Sequence, residues 1–142
     1  MLVPDIKNLY YPAVIRGFEN VLAKNDFNTI ICYTDENPEN EEIITEALTK
    51  KGIDGLAFLG SRQEGKTYKY IDEIRKKIPV ILINDFILGS KIYSIMADEA
   101  DGAYKAIDYL VSLGHSKIAF FRNSFNLTTF SYKFTGYKKA LS

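Results

Sequence analysis

Asp98-Glu-Ala-Asp-Gly-Ala-Tyr-Lys-Ala-Ile-Asp-Tyr-Leu-Val-Ser-Leu-Gly-His-Ser-Lys-Ile-Ala-Phe-Phe121 is the stretch whose reading decides the fold. Tyr104, Ile107, Leu110 and Val111 recur at helical spacing, and Asp98, Glu99 and Asp101 put negative charge at the end where a helix dipole is positive. Gly114 stops that helix, because glycine enters the left-handed conformation that closes a last turn at little cost. The apolar run 118–121, with Lys117 before it and Arg122 after it, reads as a strand buried on both faces. A helix, a one-glycine stop and a doubly buried strand together imply an α/β sheet.

The same order recurs upstream. Residues 1–4 are the apolar end of a strand, and a helix opens near Pro12 with Val14, Ile15, Phe18, Val21 and Leu22 as its buried stripe. A β-rich run at 27–33 precedes Asn37-Pro38, which starts a helix with Ile43, Ile44, Ala47 and Leu48 inward and Gly52 at its end. Further strands are expected at 53–59, 79–83 and, more weakly, 92–97, with a helix at 65–77 carrying Tyr68, Ile71 and Ile74 on one side. Strands alternating with single helices require crossover connections. The expected architecture is therefore α/β, a three-layer, mainly parallel sheet with helices on both faces, like a flavodoxin-type lobe.

Composition narrows the function classes. Lys plus Arg and Asp plus Glu each number 18, so no global field draws the chain to nucleic acid. Arg75-Lys76-Lys77 falls at an expected helix C-terminus, where cations are favoured in any case. The single cysteine, Cys32, is expected in a central strand as an inert core residue, and one thiol cannot form an internal disulfide, which suits a reducing, cytoplasmic compartment. No apolar run reaches the ~18 residues of a membrane span. No signal peptide is legible ahead of the first strand.

In open parallel sheets, ligands gather at the carboxyl ends of the strands. The loops expected there are 5–11, 34–37, 60–63, 84–86 and 123–133. A phosphate-cradling loop needs glycines after the first strand, and residues 4–12 hold none. A phospho-acceptor domain needs an aspartate at the third strand's end, where the chain reads Leu59-Gly60-Ser61. His115, the only histidine, follows the helix-stopping glycine at the opposite edge, so it reads as a C-cap and not as a triad member. Metal-ligand spacing is missing for the same reason, and neither a metal nor a cofactor is expected. What remains is a binding cleft, not an enzyme. Tyr10 and Tyr11 can stack on a sugar ring or a planar base while offering hydroxyls, or can staple the first helix to the sheet. Asp35, Ser61, Asn84 and Asp85 add polar groups at neighbouring strand ends, and Thr128, Thr129, Ser131 and Lys133 crowd the last loop.

Six segments in order carry a resemblance. Pro4-Asp5-Ile6-x-Asn8-x-Tyr10-Tyr11-x-x-Val14-Ile15-Arg16-Gly17 is followed by Thr34-Asp35-Glu36, Asp54-Gly55-Leu56 and Pro79-Val80-Ile81-Leu82-Ile83. Then come Leu113-Gly114-His115-x-Lys117-Ile118-Ala119-Phe120 and Gly136-Tyr137-x-x-Ala140-Leu141. The chain thereby resembles, end to end, the effector-binding core of the lactose-repressor/galactose-repressor family of bacterial transcription regulators, whose fold is that of periplasmic binding proteins. Periplasmic sugar-binding proteins of ABC transporters share the fold and the first loop, but usually lack the Leu-Gly-His-x-Lys-Ile-Ala segment; a lobe of such a protein is the alternative reading. An enzyme of flavodoxin-like fold stands third.

The resemblance implies two lobes, a small effector such as a sugar or nucleobase bound between them, and control of operator DNA through a separate helix-turn-helix. By analogy residues 1–97 form the first lobe and 98–142 begin the second, with a helix at 99–113 and a strand at 117–122. The DNA-binding domain and most of the second lobe are expected to lie outside this chain, which reads as a fragment. Carried over residue by residue, Tyr10 and Tyr11 match first-loop ligand contacts, Ser61 a polar contact after the third strand, and Thr129 and Lys133 effector contacts before the Gly136-Tyr137 helix. Asn84 stands where aspartate is usual and Lys133 where arginine is usual. Lys133 thus replaces a planar fork by a point charge. Leu9 takes the place of the usual proline. The family dimerises through the helices that open here at Pro12 and Glu39, so a cytoplasmic homodimer is expected.

Overall fold

A computed structural model describes residues 1–87, 89–122 and 126–142. The chain divides into two compact units: Met1–Gly60 with Tyr68–Ile95, and Ser61–Thr67 with Met96–Ser142.

The first unit holds β1 (Leu2–Val3), α1 (Tyr10–Ala23), β2 (Cys32–Tyr33), α2 (Pro38–Lys50), β3 (Leu56–Leu59), α3 (Lys69–Ile74), β4 (Val80–Ile83) and β5 (Tyr93–Ile95). The strands form one parallel sheet in the order β2-β1-β3-β4-β5, with Leu2 opposite both Cys32 and Phe58, Leu56 opposite Val80, and Ile81 opposite Tyr93. Because side chains alternate along a strand, the central runs split between two cores. Leu2, Leu56, Phe58, Val80 and Leu82 pack with Leu48 of α2 and with Tyr68, Ile71 and Ile74 at α3. On the other face, Val3, Ala57, Leu59 and Ile83 meet Tyr11, Val14, Ile15 and Phe18 of α1. The expected three layers are present.

Local chemistry sets the helix starts. Asn37 Oδ1 accepts from the Glu39 N–H at 2.8 Å with Pro38 at the first helical position, and Asn8 Oδ1 accepts from the Tyr10 N–H at 3.0 Å. Several elements are shorter than their apolar patterns. The run 27–33 yields only Cys32–Tyr33, since β1 lies beside it over two residues. Cys32 accordingly sits half-buried on an edge strand, not in the expected central one. The helix expected at 65–77 is reduced to Lys69–Ile74. Upstream of it, Gln63 makes an antiparallel bridge to Leu127 and the Glu64 N–H donates to Asn126 O at 2.8 Å, so that backbone is committed elsewhere. Arg75 and Lys76 pair with Asp72 and Glu73, both at 2.6 Å, which gives this basic cluster a structural role.

One buried hydroxyl is unsatisfied. Thr45 is fully enclosed in α2, and its Oγ1 has no hydrogen-bond partner among the described residues. Thr45→Val keeps the shape and removes the desolvated polar group, so it is expected to raise stability by about 1 kcal/mol. The urea midpoint reports it; a lower midpoint in the variant counts against an unpartnered hydroxyl.

In the second unit, α4 (Glu99–Ser112) packs on α5 (Thr128–Ala140). Asp98 Oδ1 caps α4 by accepting from the Asp101 N–H at 2.9 Å. Gly114, at φ 89°, ends α4: its N–H donates to Val111 O while that of His115 donates to Leu110 O, the paired bonds of a Schellman motif. His115 thus serves as part of a helix C-cap. The run 118–121 does not form the expected strand. Its anchors are aromatic: Phe120 packs on Phe134 and Tyr137 with ring centroids 5.5 and 5.3 Å away, and the Tyr137 hydroxyl donates to Ile118 O at 2.8 Å. Phe121 is 92% exposed. α5 begins at Thr128, so Thr128, Thr129, Ser131 and Lys133 lie on a helix and not in the expected loop 123–133, of which residues 123–125 fall outside the described residues.

Candidate functional site

Left-handed backbone collects where the parallel strands end. After β2, Asp35 and Glu36 take φ 54° and 56° in a turn closed by the Asn37 N–H on Thr34 O. Gly60 follows β3 at φ 104°, and Asn84 follows β4 at φ 63° with its N–H donating to Ile95 O at 2.7 Å. Asp35, Glu36 and Asn84 are not glycines, so each carries a conformational cost that native structures concentrate at functional sites.

Tyr10 and Tyr11, expected in the first loop, instead form the first turn of α1 and divide their roles. Tyr11 is buried (9% exposed) in the core under α1, whereas Tyr10 is 49% exposed, and the rings meet edge to face at 5.6 Å. The Tyr11 hydroxyl lies against Gly60, since a Cβ built there would stand 3.1 Å from it. Tyr11 therefore staples α1 to the sheet, and Tyr10 presents its ring to solvent. Asp5 shapes the same loop by accepting from the Lys7 N–H at 2.8 Å.

Burial, helped by the charges of Glu36 and Asp5 and by Tyr10, pushes the Tyr11 phenol from 10.0 to about 12. A raised phenol pKa means that the folded state favours the neutral ring. The stabilisation is whole below pH 10.0 and is lost as pH climbs towards about 12. Absorbance titration should show a late-ionising tyrosine that disappears in Tyr11→Phe, and the variant should lose stability less steeply across that window. An unchanged titration curve in Tyr11→Phe would contradict this assignment.

Within the second unit, residues distant in sequence converge. The Ser61 hydroxyl donates to Thr129 Oγ1 at 2.8 Å, joining two of the sequence-derived site residues. Lys133, one turn beyond Thr129 on α5, forms an ion pair with Glu99 of α4 at 3.3 Å. Ser131 donates to Glu64 at 2.8 Å. The unit therefore offers hydroxyls and a compensated cation. Glu99 and Glu64 are not among the expected site residues; the sequence marks Glu99 only as negative charge at the start of a helix. Asp85, expected as a polar group at the end of the fourth strand, is 1% exposed. Among the described residues no three His, Cys, Asp or Glu gather where they could hold a metal, and no helix is long and apolar enough to cross a membrane.

Residues 1–142 match, over their whole length, the family of periplasmic binding proteins and sugar binding domains of the LacI family. The chain belongs to this family. It is 28% identical to catabolite control protein A of Priestia megaterium, covering 100% of this chain and 42% of that protein. Against the HTH-type transcriptional regulator RegA of Clostridium saccharobutylicum the identity is 29%, again over 100% of this chain and 42% of the relative. The chain thus spans less than half the length of these relatives. Among solved structures, a LacI-family transcriptional regulator from Enterococcus faecium with bound ribose shares 31% identity and superimposes with a TM-score of 0.79, covering 99% of this chain and 50% of that one. The transcription regulator CcpA of Lactococcus lactis gives 27% and 0.85, over 99% and 51%. The expected fold and family both hold.

Proposed function

We propose that this LacI-family chain is the effector-sensing part of a transcription regulator, that its effector is a sugar or a related hydroxyl-rich metabolite, and that effector binding controls operator DNA through a separate helix-turn-helix. The observation that carries this reading is the polar set at defined backbone positions: Tyr10, Tyr11 and Asn84 in the first unit, Ser61, Thr129 and Lys133 in the second. Tyr10 supplies an exposed ring for stacking, and Tyr11 anchors the start of α1 against the sheet beside Gly60. Ser61 and Thr129 already exchange a hydrogen bond that a ligand hydroxyl can enter. Lys133, balanced by Glu99, suits an uncharged polyol. The ribose-bound relative from Enterococcus faecium supports a sugar.

Relatives that are regulators support a non-enzymatic, cytoplasmic role and weigh against the transport alternative. Homodimerisation belongs to the same reading, with exposed Val21 on α1 and Ile43 on α2 as apolar contact residues. A monomer at high micromolar concentration in analytical ultracentrifugation counts against it. The effector is tested by thermal-shift screening of the product of the complete coding sequence against sugars, sugar phosphates and nucleobases. A ligand at a hundred times its Kd is expected to stabilise by about 2.7 kcal/mol. No shift with any member contradicts the proposed effector class.

A further inference from the structure

Thr129 and Lys133 are one turn apart on α5 and therefore share a face of that helix. Their partners differ in kind. Thr129 is buried and takes up the Ser61 hydroxyl, whereas Lys133, half-exposed, is paired with a carboxylate from another helix. The lysines in the last turn of α5 are used differently: Lys138 lies over the Phe134 ring and Lys139 over the Tyr104 ring, at 4.9 and 5.2 Å. At the start of α4 the neighbouring acids are also committed, Asp98 to capping the Asp101 N–H and Asp101 to Lys105 at 2.6 Å. Glu99 is the acid of that turn that reaches α5.

Backbone packing gives a second, independent observation. The two helices meet where Gly136 faces Ala100, so closely that a Cβ on Gly136 would stand 2.0 Å from the Ala100 carbonyl oxygen. Glu99 directly precedes Ala100, and Lys133 lies one turn before Gly136, so this contact fixes the backbones from which both side chains project. The Glu99 side chain is only 19% exposed, and its Oε2 lies 3.3 Å from Lys133 Nζ. An ammonium has three donors and a carboxylate several acceptor sites, so one mutual contact leaves capacity on both groups.

We propose that Glu99 is a specificity-determining residue, which together with Lys133 reads two adjacent hydroxyls of an uncharged sugar: Lys133 Nζ donates to one, and the other donates to the Glu99 carboxylate. This inference rests on the sugar-sensing reading given above. Both hydrogen bonds carry a charged partner, which makes them stronger than bonds between neutral groups. Glu99 also turns anions away. A phosphate that approaches Lys133 meets the Glu99 charge within a few ångströms, at a partly enclosed place where solvent screens it poorly. A dianionic phosphate, moreover, has no proton to give the carboxylate, so it leaves that acceptor unmatched. Selectivity here comes from the repulsive element as much as from the attractive one.

The test is titration calorimetry on the product of the complete coding sequence, with ribose and ribose 5-phosphate and with glucose and glucose 6-phosphate as paired probes. The parent is compared with Glu99→Gln, which keeps the shape and removes the charge, and with Glu99→Gln combined with Lys133→Gln. The parent is expected to bind a free sugar at least tenfold more tightly than its phosphate. Glu99→Gln is expected to shrink that preference at least tenfold, in part by gaining affinity for the phosphate, and the double variant to lose the gain. An unchanged preference in Glu99→Gln overturns the proposal, and so does an equal gain for the phosphate in the double variant, because the effect then does not act through Lys133. A parent that prefers the phosphate overturns it too. Binding of none of the four probes by the parent is the failure of the sugar-sensing reading and takes the proposal with it, whereas binding of a free sugar with an unchanged preference in Glu99→Gln is the failure of the proposal alone.

Discussion

Gly136→Ala is expected to destabilise the α4–α5 pair by about 3 kcal/mol, the upper range for overpacking a tight contact. Intrinsic preference points the other way, since alanine in a helix interior is favoured over glycine by about 1 kcal/mol. Geometry decides. A Cβ on Gly136 would lie 2.0 Å from the Ala100 carbonyl oxygen and 2.9 Å from the Tyr104 nitrogen, both in the backbone of α4. Neither atom belongs to a side chain that can swing aside, so the helices must part. Parting them loosens the Lys133–Glu99 ion pair at 3.3 Å and the Lys139 ammonium over the Tyr104 ring at 5.2 Å. Urea unfolding followed by far-UV circular dichroism measures the change. A variant as stable as the parent would show that the two backbones do not touch.

Gly60→Ala is expected to cost about 3 kcal/mol as well, from two sources of ~1–2 kcal/mol each. At φ 104° an alanine is strained whatever the space around it. Its Cβ would also stand 2.5 Å from Pro4 Cγ and 3.1 Å from the Tyr11 hydroxyl. Pro4 leads directly into the first loop, so the variant disturbs the backbone that carries Asp5 and Tyr10. The two sources separate in a double-mutant cycle: Pro4→Ala should recover the steric part and leave the conformational part. Full recovery in the double variant would rule out strain, and no recovery would rule out the Pro4 contact.

The limits of the sequence signal are physical. β3 and β4 were legible because both of their faces are buried, which turns their strands into unbroken apolar runs. α2 and α4 announced their starts through Asn37-Pro38 and Asp98, and α4 its end through Gly114. An apolar run alone does not distinguish a strand from aromatic packing, and in 118–121 Phe120 belongs to a cluster with Phe134 and Tyr137. Site residues adjacent in sequence, such as Tyr10 and Tyr11, could be grouped by position. Partners far apart could not: the Ser61–Thr129 hydrogen bond joins residues 68 positions apart, and nothing local to Glu99 marks it as the counter-ion of Lys133. The division of labour between the tyrosines also needed coordinates, since only packing shows that Tyr11 is buried and Tyr10 exposed.

Sensing of a hydroxyl-rich effector is the central claim, and isothermal titration of the product of the complete coding sequence tests it most directly. Ribose comes first, followed by other pentoses, hexoses and their phosphates. The expected result is saturable one-site binding of an uncharged sugar, weakened at least tenfold, or about 1.4 kcal/mol, in both Tyr10→Ala and Lys133→Ala. Binding that survives both substitutions, or no saturable binding of any sugar or sugar phosphate, would contradict it.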